Sequence, residues 1–152
     1  MLALTFIDDW PEAWRKAVGE AFAALQKHTD GETPTGTINL KLVDDAEIAG
    51  LNQHSTGENH ATDVLTFNYQ ENQDATYGEL ADIVISTETA ERQAAVSGTR
   101  IEEEVALLAV HGILHVLGYD HAQASDRDKL DQLQAAIMDS AGLAYRDFQW
   151  VN

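Results

Sequence analysis

At 152 residues, 44% of them hydrophobic, the chain is long enough for one real core and is expected to form a single domain over residues 1–152. No apolar run approaches the ~20 residues that a membrane span needs, and the lack of cysteine excludes disulfides and thiolate metal ligands. Twenty-six acidic residues against nine Lys and Arg, a formal charge of −17, argue against a non-specific grip on long nucleic acid; the acidity suits a basic protein partner, a high-salt habitat or plain solubility, among which composition does not choose.

The N-terminal stretch, Met1-Leu-Ala-Leu-Thr-Phe-Ile-Asp-Asp9, has no basic segment and turns acidic at residue 8, unlike a secretory signal, so a cytoplasmic address with no membrane association is expected. Leu2, Leu4 and Phe6 alternate with Ala3 and Thr5, which predicts a first strand. Asp9 and Pro11 mark a helix start, and Trp14, Ala17, Val18, Ala21, Phe22 and Leu25 recur at helical spacing up to the Asp30-Gly31 break. Ile38, Leu40 and Leu42 predict a strand over 37–43 with one buried face. Asp44 or Asp45 is placed to cap a short helix carrying Ile48 and Leu51. Residues 52–62 read as a polar loop of the kind that carries function.

Residues 64–67 and 80–85 are the next two strands, joined by an acidic connection long enough for an extended hairpin loop. The apolar run over 83–85 predicts a central strand covered on both faces. A helix over about 87–97 stops at Gly98. Thr99-Arg-Ile-Glu102 has the pattern of a capping box, and the Glu102–Glu104 run suits the positive end of a helix dipole. The helix that follows, 101–117, is apolar nearly all round from Val105 to Leu117 and must be buried, with His111 and His115 its only polar side chains in that span. A last amphipathic helix runs from Ser125 to Gly142 with Leu130, Leu133 and Ile137 on one face. The order β-α-β-α-β-β-α-α-α predicts an α+β fold, a small mixed β-sheet with about five helices packed on it.

Three of the six histidines fall within His111-Gly-Ile-Leu-His115-Val-Leu-Gly118-Tyr-Asp-His121. His111 and His115 are four apart, which puts both imidazoles on one helix face about 5–6 Å apart at Cβ. Gly118 offers a left-handed stop that turns the chain back and brings His121 to the same point. Three neutral imidazoles form an open ligand set with zinc as the default metal, carried on a buried central helix, and Asp120 is placed to orient a ligand imidazole. A single histidine on an apolar helix is more often a satisfied core residue, but two at this spacing plus a third beyond a glycine are not easily read so. Such a metal polarises a phosphoryl or carbonyl oxygen and lowers the pKa of its water to about 7.

The spacing matches the metzincin zinc-peptidase signature, H-E-x-x-H-x-x-G-x-x-H, in every ligand and in Gly118. It departs at Gly112, where those peptidases carry the glutamate that serves as general base. A mid-helix glycine costs about 1 kcal/mol relative to alanine, so close approach of substrate or backbone, or tight helix packing, is implied at that position.

The same eleven residues resemble the signature H-G-x-L-H-L-x-G-Y-D-H of the YbeY family, bacterial endoribonucleases of rRNA maturation, in which glycine stands at the position of Gly112. Ala61-Thr-Asp-Val-Leu-Thr-Phe67 is similar to the family's P-T-D/N-V-L-S-F, Leu80-Ala-Asp-Ile-Val-Ile-Ser86 to its L-G-D-I-V-I, and Leu51-Asn52 also fits. The resemblance covers roughly residues 38–140. It implies one zinc per chain held by His111, His115 and His121, and single-strand endoribonuclease activity in rRNA processing, notably 3′-end maturation of 16S rRNA, with a role in ribosome quality control. It also implies as partners an rRNA precursor, the small ribosomal subunit with its basic proteins, and an assembly GTPase. Three departures stand out. Thr56 occupies the place of the family arginine thought to contact substrate phosphate, with His60 and Arg100 as candidates to replace it; Asn68 stands where the family usually has proline, and Ala81 where it has glycine. With the acidity, the missing arginine also suits a ribosome-assembly binding protein with little or no catalysis and a mainly structural metal. A metzincin-like peptidase ranks below both.

Overall fold

The computed structural model describes residues 1–29, 33–70, 78–119 and 123–146. Nine elements follow in the expected order: β1 (Leu2–Phe6), α1 (Glu12–His28), β2 (Gly36–Val43), α2 (Asp45–Thr56), β3 (Val64–Asn68), β4 (Glu79–Ser86), α3 (Thr87–Ser97), α4 (Ile101–Val116) and α5 (Ala124–Ser140). They build an α+β fold on a mixed sheet of order β1-β2-β4-β3, in which β1, β2 and β4 run parallel and β3 pairs antiparallel with β4.

Strand alternation assigns the two faces. Leu2, Ile38, Leu40, Ala81, Ile83 and Ile85 point into the main core, where they meet α1, α4 and α5. On the other face Val43, Val84, Leu65 and Phe67 form a smaller cluster with Ile48 and Leu51 of α2. Central strand β4 is thus covered on both sides, which is why its sequence does not alternate. Helix α4 packs against α1, α3, α5, β3 and β4. From Glu103 to Val116 every residue is buried except His111, half-buried, and His115, exposed.

The helix start marked by Asp9 and Pro11 is found there, with Pro11 as the N-cap of α1. Local differences from the sequence reading have physical causes. Asp44, not Asp45, caps α2, its carboxylate accepting from the Glu47 amide at 2.8 Å. The first part of the expected 52–62 loop is helical, because α2 continues to Thr56 around the buried Asn52 side chain before Gly57 ends it. The capping box is shifted one residue: Arg100 is the N-cap of α4 and Glu103 accepts from its backbone N–H at 3.0 Å. The inward face of α5 is Leu130, Gln134, Ile137 and Met138, with Leu133 only half-buried.

Two carboxylate junctions tie the helices together. Asp45 accepts from Ser86 Oγ and Thr89 Oγ1, both at 2.6 Å, and from Arg92 Nη2 at 2.8 Å, joining the start of α2 to the start of α3. The second lies deeper. Glu104 receives Nε of Arg146 at 2.6 Å and Nη2 at 2.5 Å, while Glu103 accepts from the Ala144 amide at 2.7 Å. Arg146 Nη2 also donates to Gln93 Oε1 at 3.1 Å, and Gln93 Nε2 donates to Asp63 Oδ2 at 3.2 Å. Burial pushes the Asp63 carboxyl up and nearby Glu104 adds to this, while Arg146 opposes it. The segment after α5 is therefore fastened to the first turn of α4.

The Glu104 side chain is fully buried, at 0% exposure, so replacing Arg146 with leucine leaves an uncompensated charge in the interior. Arg146→Leu is expected to destabilise by about 3–5 kcal/mol in urea unfolding, and adding Glu104→Gln to recover part of the loss. At Asp45 the hydroxyls of Ser86 and Thr89, helped by Arg92, lower the carboxyl pKa from 3.8 to about 2. A carboxyl depressed on folding stabilises above its unfolded pKa and loses that contribution as pH falls through the folded one. Stability is expected to fall between pH 3.8 and about 2 in wild type, and Asp45→Asn to flatten that part of an acid titration followed by circular dichroism.

Candidate metal centre

The last turn of α4 delivers the histidine pair. Successive residues of a helix turn by 100°, so His111 and His115 lie on one side of Gly112 and within about 40° of each other. The helix then stops in a Schellman motif: Tyr119 N–H bonds to Leu114 C=O at 3.0 Å and Gly118 N–H to His115 C=O at 3.1 Å, with Gly118 at φ 99°. This turn reverses the chain beside the exposed His115, and Tyr119 is itself 38% exposed.

Gly112 faces the sheet. A Cβ there would lie 3.0 Å from Cδ1 and Cγ2 of Ile83 and 3.2 Å from Oγ1 of Thr66. Of the two reasons for a glycine at this position, helix packing on β4 and β3 is the one the geometry carries. Any side chain there would press on Ile83 and Thr66, which would have to give by a few tenths of an ångström.

His111 is held from α5. Its Nδ1 lies 2.7 Å from Oε1 of Gln134, a residue with 0% exposure. An amide carbonyl oxygen only accepts, so the imidazole proton sits on Nδ1 and Nε2 keeps its lone pair. Metal-bound histidines commonly show this arrangement, one nitrogen ligating and the other hydrogen-bonded outward. The donor set of His111 and His115 therefore fits a zinc ion, in residue type and in tautomer. Among the described residues no group of three His, Cys, Asp or Glu comes together. The third expected ligand, His121, and its neighbour Asp120 lie outside the described residues.

Thr56 is engaged within its own helix end. Its hydroxyl lies 2.8 Å from both the backbone and side-chain oxygens of Asn52 and accepts from the Glu58 amide at 3.2 Å. His60 is exposed, with Nε2 2.8 Å from Glu58 Oε2. Its pKa is raised by the backbone carbonyl of Ala61 and by Glu58. Arg100 does not replace the missing arginine. It caps the far end of α4, about 16 Å along the axis from His111, where it pairs with Glu102 and Glu103 beside a cleft of about 250 Å³.

A family described as endoribonuclease YbeY matches residues 7–142. The chain belongs to the YbeY family of endoribonucleases. An endoribonuclease YbeY of Desulfitobacterium hafniense is 41% identical over 123 residues, 76% of this chain and 78% of that protein. Another, from Heliobacterium modesticaldum, is 36% identical over 151 residues, 92% of this chain and 90% of its own length. A Thermotoga maritima protein solved in solution shares the fold with a TM-score of 0.55 at 24% identity, covering 91% of this chain and 90% of the other.

Within this YbeY-family chain two residues of the site escaped the sequence reading. Gln134 is a polar residue on a helix judged by its leucines, and Tyr145 lies beyond the last expected element. The spacing did hold one signal, since Gln134 is one turn from Leu130 and Ile137 and so shares their inward face. Introducing a methyl group at Gly112 tests how tightly the site is seated. Gly112→Ala gains about 1 kcal/mol of helix propensity and forces Ile83 and Thr66 aside, at about 1–3 kcal/mol. A net loss of roughly 1 kcal/mol in denaturant unfolding is expected, with a smaller added loss in the Ile83→Val double variant than the two single losses sum to, because Val removes Cδ1 but keeps Cγ2.

Proposed function

We propose that this chain is a zinc-dependent, single-strand-specific endoribonuclease of rRNA processing. It acts in maturation of the 16S rRNA 3′ end and in ribosome quality control, with one zinc held by His111, His115 and His121. The observation that carries the metal part is the pairing of His111 Nδ1 with a buried amide oxygen, which commits the other ring nitrogen to act as a base or a ligand. Family membership supports the ribonuclease part. Zinc bound there supplies a Lewis acid for a phosphoryl oxygen and lowers the pKa of water in its open position. The residues do the rest. Gln134 holds the His111 ring, and Asp120 is proposed to orient a ligand imidazole. Tyr119 offers an aromatic face on which an unpaired base stacks. An attacking 2′-hydroxyl within the RNA needs less help from a strong base than peptide hydrolysis does.

Among the described residues no helix is long and apolar enough to cross a membrane. The proposed place of action is the cytoplasm, on an rRNA precursor in the small ribosomal subunit. The acidic surface suits the basic proteins of that particle, and an assembly GTPase is a further proposed partner. One observation favours a second reading, a ribosome-assembly binding protein with a mainly structural metal: the Thr56 hydroxyl is turned onto Asn52 where a phosphate-binding cation would be expected. A peptidase is disfavoured because Gly112 stands where the general-base glutamate would be.

Purified protein is expected to carry about one zinc per chain by elemental analysis, and His115→Ala to lose it. Zinc-loaded protein is expected to cut precursor 16S rRNA, free or in 30S particles, while His115→Ala does not. Particle binding without cleavage would support the assembly-factor reading, and digestion of casein would revive the peptidase. Full zinc content in His115→Ala would remove the ligand assignment.

A further inference from the structure

Gln134 is a fully buried polar residue in the middle of the inward face of α5, and both ends of its amide are engaged. Oε1 faces His111 Nδ1 at 2.7 Å, and Nε2 donates to the Tyr145 hydroxyl at 3.4 Å. That hydroxyl donates in turn to Asp131 Oδ1 at 3.4 Å. The chain has a direction. An ionised carboxylate only accepts, so the tyrosine proton points at Asp131 and the tyrosine oxygen accepts from the amide NH2. The amide is thereby oriented with its carbonyl towards His111, which settles the assignment of its two ends from the network.

We propose that Gln134 is a positioning residue of the metal centre, and that Asp131, Tyr145 and Gln134 together fix the tautomer and ring orientation of His111 before any metal arrives. This deepens, and rests on, the metal-centre reading above. The segment that carries Tyr145 is anchored on the same helix as His111, through the Ala144 amide on Glu103 and Arg146 on Glu104. The segment after α5 is thus part of the arrangement that aims the His111 imidazole. A glutamine that merely filled a buried space would place no demand on the tautomer of His111.

Nitrogen-15 NMR of metal-free protein, recorded well above the imidazole pKa, reads that tautomer without any metal present. Wild type is expected to show His111 protonated at Nδ1. Gln134→Met keeps the length and removes the acceptor; it is expected to move the proton to Nε2 and to weaken zinc affinity about 10- to 100-fold in chelator competition. Gln134→Glu restores an acceptor and is expected to restore both. Tyr145→Phe, which frees the amide to turn over, is expected to give a mixture of tautomers with a smaller loss of affinity, and it keeps the test open if Gln134→Met does not fold. An Nε2-protonated wild type overturns the proposal. So do Gln134→Met and Tyr145→Phe proteins that match wild type in both tautomer and zinc affinity. If wild type shows the Nδ1 tautomer, Gln134→Met shifts it and neither protein binds zinc, the aiming of His111 is upheld and the metal reading alone fails.

Discussion

The contact between α4 and the sheet at Gly112 sets where everything else can stand. A side chain at that position would hold the helix away from Ile83 and Thr66; its absence lets the backbone close on β4 and β3. Once that side of α4 is pressed to the sheet, helical periodicity decides the rest. Glu104, Leu108, His111 and His115 recur at intervals of four, three and four and so form one stripe along the flank of the helix beside Gly112. The stripe passes from interior to solvent along its length: Glu104 and Leu108 are buried, His111 is half-buried and His115 is exposed. On the proposed reading the metal centre lies at the open end, past the cover that α5 and residues 144–146 provide.

That cover must satisfy the polar groups that α4 carries among its buried apolar residues. Glu104 meets a guanidinium in bidentate fashion, and His111 meets an amide. The two solutions differ in what they leave over. The ion pair neutralises Glu104 and offers nothing to a ligand. The amide uses one nitrogen of His111 and keeps the other basic. Both depend on residues after Leu130, so α5 and the segment after it complete a helix whose own sequence cannot compensate its charges. Asp63 and Gln93 extend the first arrangement to the start of β3 and to α3.

Much of this was legible in the sequence because it depends on local pattern. Alternation in β1 and β2, unbroken apolarity in β4 and the all-round hydrophobicity of α4 each reflect how many faces an element buries, and they gave the α+β fold and the central helix. What was not legible depends on partners distant in the chain. Thr99 looks a better cap than Arg100, yet the box forms at Arg100 because Glu103 also takes the Ala144 amide. Residues 52–56 look like loop because they are polar, but Asn52 is buried and bonds Thr56 and the His60 carbonyl, which carries the helix on to Gly57. Gln134 reads as solvent-facing until its imidazole partner, 23 residues earlier, is known. In the histidine motif, spacing alone gave the pair on one face and the glycine turn; the third ligand falls outside the described residues.

Position 112 and position 56 bear on the proposed chemistry from opposite sides. A peptidase needs a strong base beside its water, and Gly112 supplies none. A ribonuclease that uses the RNA's own 2′-hydroxyl has less need of such a base, but it must still stabilise charge on the phosphate. With nine Lys and Arg in the chain, and a threonine hydroxyl folded back on its helix at position 56, side-chain cations are in short supply for that task. Neutral imidazole ligands differ from carboxylates in leaving a bound metal its full positive charge. On the proposed reading, phosphate recognition therefore concentrates at one point at the end of α4, and the basic proteins of a ribosomal particle, attracted to the acidic surface, bring the RNA to it.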